Sequence, residues 1–219
     1  MERILFLWAI RNPAAGYVQG INDLVTPFFF VFLQNQILKK EGKDVDIYSY
    51  DVTGLDEEAM RDVEADSFWC LSKILQNIQE NYIFAQPGIQ KMIFRLEELV
   101  QRIDTRLYSH LKSEGLSFIQ FAFRWMNCYL MRELPLRIII RIFDTYLSED
   151  NGFKRFHVYF CASFLVHFSA KLCDLDFQDM VLFIQHLPTD RWGEQEISAL
   201  LSQSFVYQSL FDDSPSHLR

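Results

Sequence analysis

The chain has 219 residues, half of them hydrophobic, which is enough for one sizeable core. Its net charge of −8 and isoelectric point near 5.1 argue against a nucleic-acid-binding surface, which needs clustered Lys and Arg. Twenty-one phenylalanines with only eight glycines and six prolines favour helices packed on helices over a turn-rich β-sandwich. We therefore predict an all-α array of about eight to ten helices in one domain over residues 1–211, with a disordered tail at 212–219.

Two apolar segments separated by a loop begin the chain. Residues 4–10 are typical of the last part of a helix, and residues 21–39 are apolar around most of a helical circumference. The second segment is therefore predicted to be a central helix buried on most sides, with its phenylalanines in the core: Phe28, Phe29, Phe30 and Phe32. The apolar run at 24–33 is too short to span a bilayer, so no transmembrane segment is expected.

The loop between these segments combines turn residues with uncharged polar side chains. Pro13 disfavours helix at Asn12, and Gly16 and Gly20 permit backbone angles that a β-carbon penalises. Gln19 is therefore predicted to lie on a loop or at a loop-to-helix junction. Its amide does not titrate, so it cannot act as a general base, but it can orient a water molecule. From spacing alone, a plain surface turn residue is the simpler interpretation of Gln19.

The excess negative charge of the chain lies in one segment. Residues 41–66 hold ten acidic and two basic residues, so the rest of the chain is neutral. Within it, residues 41–56 lack apolar periodicity and include Gly42 and Gly54. We predict an exposed, mobile loop at 41–56 that leads into a helix N-terminus, where acidic residues interact favourably with the helix dipole.

From residue 57 onward, apolar residues recur at helical spacing and no run of alternating strand residues is present. The predicted helices cover residues 57–81, 87–103 with its continuation to Gly115, 118–133, 136–147, 154–171, 177–186 and 194–210. Pro135 is expected in the first turn of the helix that follows it.

Charged residues between positions 124 and 144 are predicted to form structural ion pairs rather than a catalytic site. Arg141 follows Arg137 by four residues and precedes Asp144 by three, which places all three on neighbouring helical positions. The residues assigned to this structural role are Arg124, Arg132, Glu133, Arg141 and Asp144.

Resident metal, disulfide and nucleotide sites are not indicated by the sequence. No histidines are paired at ligand spacing, so no metal site is predicted. The cysteines lie far apart in apolar contexts and are expected to be free, mostly buried thiols: Cys70, Cys128, Cys161 and Cys173. Phosphate-binding and dinucleotide fingerprints are missing, so any nucleotide is expected to be carried by a partner.

Several motifs together resemble one known family. The run Gly16-Tyr17-Val18-Gln19-Gly20-Ile21-Asn22-Asp23-Leu24, preceded by Asn12-Pro13, resembles the glutamine-finger motif of the TBC domain of Rab GTPase-activating proteins. Further motifs follow in the family's order: Glu64-Ala65-Asp66-Ser67-Phe68-Trp69-Cys70, Phe123-Arg124-Trp125, Arg132-Glu133-Leu134-Pro135 and Arg141-Ile142-Phe143-Asp144-Thr145-Tyr146-Leu147. The resemblance spans about residues 1 to 210 and is greatest to the member-22 subgroup.

The resemblance implies a GTPase activator that acts in trans on a Rab and is not itself an enzyme. Gln19 would replace the water-positioning glutamine of the Rab, Gly16, Tyr17 and Gly20 would shape the loop, and Asn22 and Asp23 would fix it to the helix. GTP and Mg²⁺ would belong to the partner, and no cofactor of its own is expected. The implied setting is vesicle trafficking in the cytoplasm, at Golgi or other endomembrane surfaces reached through partners.

The arginine-finger segment of the family, with the pattern Ile-x-x-Asp-x-x-Arg, is not found in any window of this sequence. We therefore expect the sequence to be the C-terminal portion of such a domain, with feeble activity on its own. Arg11 is a poor substitute, because eight residues along the same short loop hardly reach across a GTPase site. A non-catalytic Rab-binding fragment and a helical adaptor without a GTPase partner remain as alternatives.

Overall fold

The computed structural model describes residues 1–43 and 45–212, so the predicted tail lies outside the described residues except for Asp212. Across these ranges the chain forms eleven α-helices and two 3₁₀ turns and no strand, which confirms the all-α prediction. The chain divides into two compact units, Met1–Ala85 and Gln86–Arg219. Within the described part of the chain, no helix combines the length and hydrophobicity that crossing a membrane requires.

Three helices build the first unit. They are α1 (Glu2–Arg11), α2 (Ile21–Glu41) and α3 (Glu57–Asn77). Helix α3 packs against both α1 and α2. Ile4 and Trp8, one turn apart on α1, are buried, and Val63 and Leu71 are buried on α3. Since buried residues recur every three to four positions, each helix contributes one apolar stripe to this core.

Helix α2 is less buried than its sequence indicates. Leu24, Val25 and Ile37 are buried, but all four phenylalanines assigned to the core are only half-buried. The prediction of a helix buried on most sides is therefore wrong for α2 in this chain. Within its unit α2 packs along α3, so one face is covered while the rest of its apolar circumference is partly open to solvent.

Most residues of the 41–56 connection are exposed. Two side-chain contacts nevertheless attach it to the end of α2. The Lys40 Nζ donates to the Gly54 carbonyl at 2.5 Å, and the Tyr50 hydroxyl donates to Glu41 Oε1 at 2.7 Å. Asp56 then caps α3 by accepting a hydrogen bond from the Ala59 amide at 2.6 Å. The first turn of α3 is acidic, as expected for a helix N-terminus.

Eight helices build the second unit. They are α4 (Pro87–Ile103), α5 (Thr105–Ser113), α6 (Ile119–Cys128), α7 (Leu136–Ser148), α8 (Phe156–His167), α9 (Ser169–Leu172), α10 (Phe177–Gln185) and α11 (Glu194–Phe211). Helix α8 is buried from Phe156 through Leu165 and packs against α4 and α11. A helix that is apolar all round belongs at the centre of a core, and α8 has that position in this unit.

Two helix boundaries in this unit differ from the sequence prediction. Helix α6 ends at Cys128 rather than at residue 133, because Tyr129 and Leu130 take the left-handed backbone at φ 51° and 61°. The helix predicted to continue from 87 to Gly115 divides at Asp104, whose side chain accepts from the Leu107 amide at 2.9 Å and starts α5. Divisions of this kind raise the helix count above the expected range.

A partly buried ion pair joins α6 to the turn before α7. The Arg124 guanidinium donates to both carboxylate oxygens of Glu133, through Nε at 2.5 Å and Nη2 at 2.8 Å. The Glu133 side chain is 2% exposed and that of Arg124 is 36% exposed. Burial raises the pKa of Glu133 by more than Arg124 lowers it. The pair therefore fixes geometry more than it adds stability.

His157 on α8 lies fully buried in a second polar cluster. Its Nε2 lies 3.2 Å from the Trp125 carbonyl, which can only accept, so Nε2 carries the proton. Its Nδ1 then accepts from the Tyr146 hydroxyl at 2.8 Å. Because burial excludes water and disfavours the charged imidazolium, the pKa of His157 falls to about 3, and the hydrogen bond to the Trp125 carbonyl only partly offsets this fall.

None of the four cysteines, all of which lie in the described part of the chain, forms a disulfide. Cys128 and Cys161 are buried, whereas Cys70 and Cys173 are half-buried. Burial raises the pKa of the Cys161 thiol well above its ordinary value, so this thiol is expected to stay protonated and unreactive.

Limited proteolysis tests the 41–56 connection. Exposure of most of its residues predicts that cleavage occurs there first, with trypsin cutting after the exposed Lys43. Mass spectrometry of early fragments identifies the site. First cuts within residues 118–146, most of which lie in α6 and α7, would contradict this layout.

Substitution of the Arg124 and Glu133 pair is expected to be asymmetric. Arg124→Met leaves a carboxylate in a site that is 2% exposed, and should lower the free energy of unfolding by roughly 3 kcal/mol. Glu133→Gln leaves a guanidinium that can reach water and should cost only about 1 kcal/mol. Urea denaturation measures both values, and equal losses would show that burial does not decide the effect.

Stability should depend on pH through His157. Its pKa is near 6.5 when unfolded and about 3 when folded, so the unfolded chain binds more protons between these values. The contribution of neutral His157 is fully present above pH 6.5 and is lost as pH falls toward 3, by up to about 1.4 kcal/mol per unit. Denaturation at several pH values should show a shallower dependence for His157→Gln, with the exposed His186→Gln as control. Parallel curves for wild type and His157→Gln would contradict the assignment.

Candidate functional site

The loop between α1 and α2 starts from a firmly capped helix end. The Asn12 side-chain Nδ2 donates to the Trp8 carbonyl at 2.9 Å and closes α1. The Asn12 carbonyl then accepts from the Ala15 and Gly16 amides at 3.1 and 2.8 Å, forming a turn that contains Pro13. Gly16 has φ 61°, a left-handed angle that glycine adopts without steric cost.

The loop ends at the first turn of α2. Gly20 precedes the helix with φ 113°, again in a region that favours glycine. Its carbonyl accepts from the Asp23 and Leu24 amides at 3.0 and 3.4 Å, and the Ile21 amide donates to Val18 at 3.1 Å. The two glycines therefore determine the backbone conformation on either side of Gln19, which lies in the loop just before α2.

Asn22 holds the loop together from the helix side. Its Oδ1 accepts from the Tyr17 hydroxyl at 3.1 Å and from the Gly20 amide at 3.2 Å. Its Nδ2 donates to Asp23 Oδ1 at 3.1 Å, so the carboxylate orients the amide. These contacts join residues that precede and follow Gln19 in the sequence, and they therefore restrict the backbone that carries it.

Gln19 itself is exposed, as is Tyr17, while Gly20 is buried. An exposed amide on a restricted backbone can donate to one oxygen and accept from one water, but it cannot transfer a proton at neutral pH. Acid–base or nucleophilic chemistry is therefore not available to Gln19. The arrangement can position a water molecule, or contact a partner, without reacting itself.

Arg11 has a contact of its own near this loop. Its guanidinium lies over the Phe68 ring on α3, 5.5 Å from the ring centroid. This cation–π contact directs the side chain toward α3. The position gives no support to Arg11 as a charge donor beside Gln19.

Residues assigned to structural ion pairs lie in the other unit, Gln86–Arg219. Arg124 and Glu133 form the partly buried pair described above, and Arg132 lowers the pKa of Glu133 through its charge. Arg141 donates to the Thr145 hydroxyl at 2.7 Å instead of pairing with Asp144, which is exposed. The sequence interval predicted an ion pair with Asp144, but in the structure Arg141 bonds to the hydroxyl four residues on.

A groove in the second unit has no counterpart in the sequence predictions. It encloses a cavity of about 330 Å³ between α6 and α10, lined by Leu116, Gln120, Phe121, Arg124, Phe177, Val181, Ile184 and Gln185. Its lining is mainly apolar, and its arginine is already paired with Glu133. Among the described residues, no three His, Cys, Asp or Glu side chains come together in a way that could hold a metal ion.

Similarity to known proteins covers nearly all of the chain. The family model for the Rab-GTPase-TBC domain matches residues 1–173. The chain is 53% identical over 219 residues to human TBC1 domain family member 22B and 51% identical over 220 residues to the GTPase-activating protein gyp1 of Schizosaccharomyces pombe. It covers 100% of its own length in both cases but only 42% of each relative, so it spans less than half of these proteins.

A solved structure agrees with these sequence matches. The crystal structure of the Ypt/Rab-GAP domain of Gyp1p superposes with a TM-score of 0.85 at 50% identity, over 96% of this chain and 65% of that one. The family resemblance inferred from the glutamine motif and the later motifs is confirmed, including its subgroup. The chain belongs to the Rab-GTPase-TBC domain family.

Proposed function

We propose that this chain is a GTPase-activating module for a Rab-family GTPase, with Gln19 as the glutamine finger. The observation that carries the proposal is the exposed residue Gln19 on a loop restricted by the Asn22 hydrogen bonds. GTP hydrolysis is catalysed mainly by positioning and electrostatic stabilisation, so an oriented amide is sufficient for the water-positioning part. Relatives named as GTPase-activating proteins support the GTPase-activating part of this proposal.

Each neighbouring residue has a defined part in the proposal. Gly16 and Gly20 supply the backbone angles, Asn22 restrains the loop, and Asp23 orients the Asn22 amide. Tyr17 both donates to Asn22 and presents half of its surface to a partner. GTP and Mg²⁺ are carried by the GTPase, so the chain acts in trans and does not turn over a substrate of its own.

This role places the chain in the cytoplasm during vesicle trafficking, at Golgi or other endomembrane surfaces where the Rab is bound. Contact with the membrane is peripheral and passes through the partner. Both statements follow from the proposed partner rather than from any surface of this chain.

A non-catalytic Rab-binding fragment is the second candidate. The 219 residues contain no Ile-x-x-Asp-x-x-Arg segment, and Arg11 is directed toward Phe68. An arginine finger contributes roughly 10³ to 10⁵ in rate, or about 4 to 7 kcal/mol of the barrier. Gln19 cannot supply that charge, so we propose that this chain alone stimulates hydrolysis feebly.

Single-turnover GTP hydrolysis across a Rab panel tests both candidates. The chain is compared with a version extended upstream to include an Ile-x-x-Asp-x-x-Arg segment, which should stimulate at least one Rab strongly. In that version Gln19→Ala should slow hydrolysis by orders of magnitude while GTP-dependent Rab affinity stays nearly unchanged, since the amide acts mainly in the transition state. Asn22→Ala should also slow hydrolysis, because it frees the Gln19 backbone.

Gln101→Ala serves as the matched control, since Gln101 is an exposed glutamine on α4. Equal loss of affinity and rate in Gln19→Ala would assign Gln19 a binding role. Rab binding without stimulation by either version would favour the non-catalytic candidate, and no binding to any Rab would reject both.

A further inference from the structure

Phe84 is an unusually exposed aromatic residue in the first unit. Its side chain is 96% exposed, the largest value among the exposed large hydrophobic residues of the described chain. Asn81 and Tyr82, three and two positions before it, are buried at 2% and 1%. The chain therefore leaves the core within two residues and turns a whole phenyl ring toward solvent.

The backbone directly after Phe84 adopts an unfavourable conformation. Ala85 has φ 62° and Gln86 has φ 46°, the left-handed region that residues with a β-carbon rarely enter. Such angles persist only where the surrounding structure fixes them, and they concentrate at functional sites. Tyr129 and Leu130 share this conformation, but both are buried at the end of α6, where it terminates a helix. Ala85 and Gln86 instead form the short connection between Phe84 and the start of α4 at Pro87, so the backbone beside the exposed ring is restricted.

The topology of the first unit brings the end of α3, from which the chain continues to Phe84, to the end of the helix pair that carries Gln19. The Lys40–Gly54 hydrogen bond joins the end of α2 to the residues just before α3, so α3 starts where α2 finishes. Since the two helices then pack side by side, they run antiparallel, and the end of α3 lies beside the start of α2. Phe84 follows the end of α3 and Gln19 precedes the start of α2.

We propose that Phe84 is a second anchor for the GTPase engaged by the Gln19 loop, with its ring entering an apolar depression on that partner. The inference rests on the proposed function and adds a binding residue to it. Protein interfaces are enriched in Tyr, Trp and Phe, and a backbone that is already restricted loses less conformational freedom on association. Tyr17, 52% exposed on the Gln19 loop, extends the same contact surface.

Binding of GTP-loaded Rabs to the chain, measured by titration calorimetry across a panel, tests this role. Phe84→Ala should weaken the cognate Rab at least tenfold, and Phe84→Leu, which keeps an apolar group, should weaken it less. Ala85→Gly removes the steric cost of φ 62° but frees the loop, so affinity should fall a few-fold while the ring is still present. Circular dichroism and thermal melts establish that each variant is folded.

Tyr48→Ala is the matched control. Tyr48 is 73% exposed in the same unit but lies in the connection that follows α2, with its ring 5.5 Å from that of Phe30 near the middle of α2, so its removal should leave affinity unchanged. Equal losses in Tyr48→Ala and Phe84→Ala, or wild-type affinity in Phe84→Ala, would overturn the inference while leaving the proposed function intact. If the wild-type chain and its extended version bind no Rab, the proposed function fails, and the inference falls with it. A dimer that Phe84→Ala dissociates would assign the ring to self-association and reject the Rab contact.

Discussion

The side-chain oxygen of Asn22 is shared between the Tyr17 hydroxyl and the Gly20 amide, and the first unit presents Gln19 through this contact. A glutamine on a free loop samples many orientations, and binding a water molecule in one of them costs conformational entropy. Here that cost is met during folding, because Asn22 sits in the first turn of α2 and α2 is packed on α3. The proposed chemistry thus depends on the packing of α2 on α3, which fixes the position of Asn22 and its hydrogen bonds to the loop.

Polar clusters in the second unit serve the same general purpose by different means. The Arg124–Glu133 pair and the His157–Tyr146 pair both join separate helical segments. In each pair at least one side chain is almost completely buried from solvent. Burying these groups is unfavourable unless every partner is in place. Such contacts therefore disfavour alternative packings around the apolar α8 and help to specify a single arrangement of helices.

Sequence patterns located most of these elements, but with identifiable limits. Pro13, Gly16 and Gly20 mark the Gln19 loop because their backbone preferences are local. The extent of α6 could not be read in this way, since Tyr129 and Leu130 carry no signal for the left-handed angles that end the helix. Burial of the α2 phenylalanines also depends on which helices pack beside them, and composition does not contain that information. The exposure of Phe84 likewise depends on tertiary packing and could not be predicted from composition.

The contact between Lys40 and Gly54 has a consequence for the acidic connection. This hydrogen bond brings the two ends of the connection together, so the residues between them form a closed loop. The conformational entropy lost on closing such a loop grows only with the logarithm of its length. Doubling that length costs about 0.6 kcal/mol, which is small beside the stability of a folded domain. The connection can therefore differ in length and charge among relatives without displacing the opposite end of the helix pair. Such differences would leave the geometry of the Gln19 loop at that end unchanged.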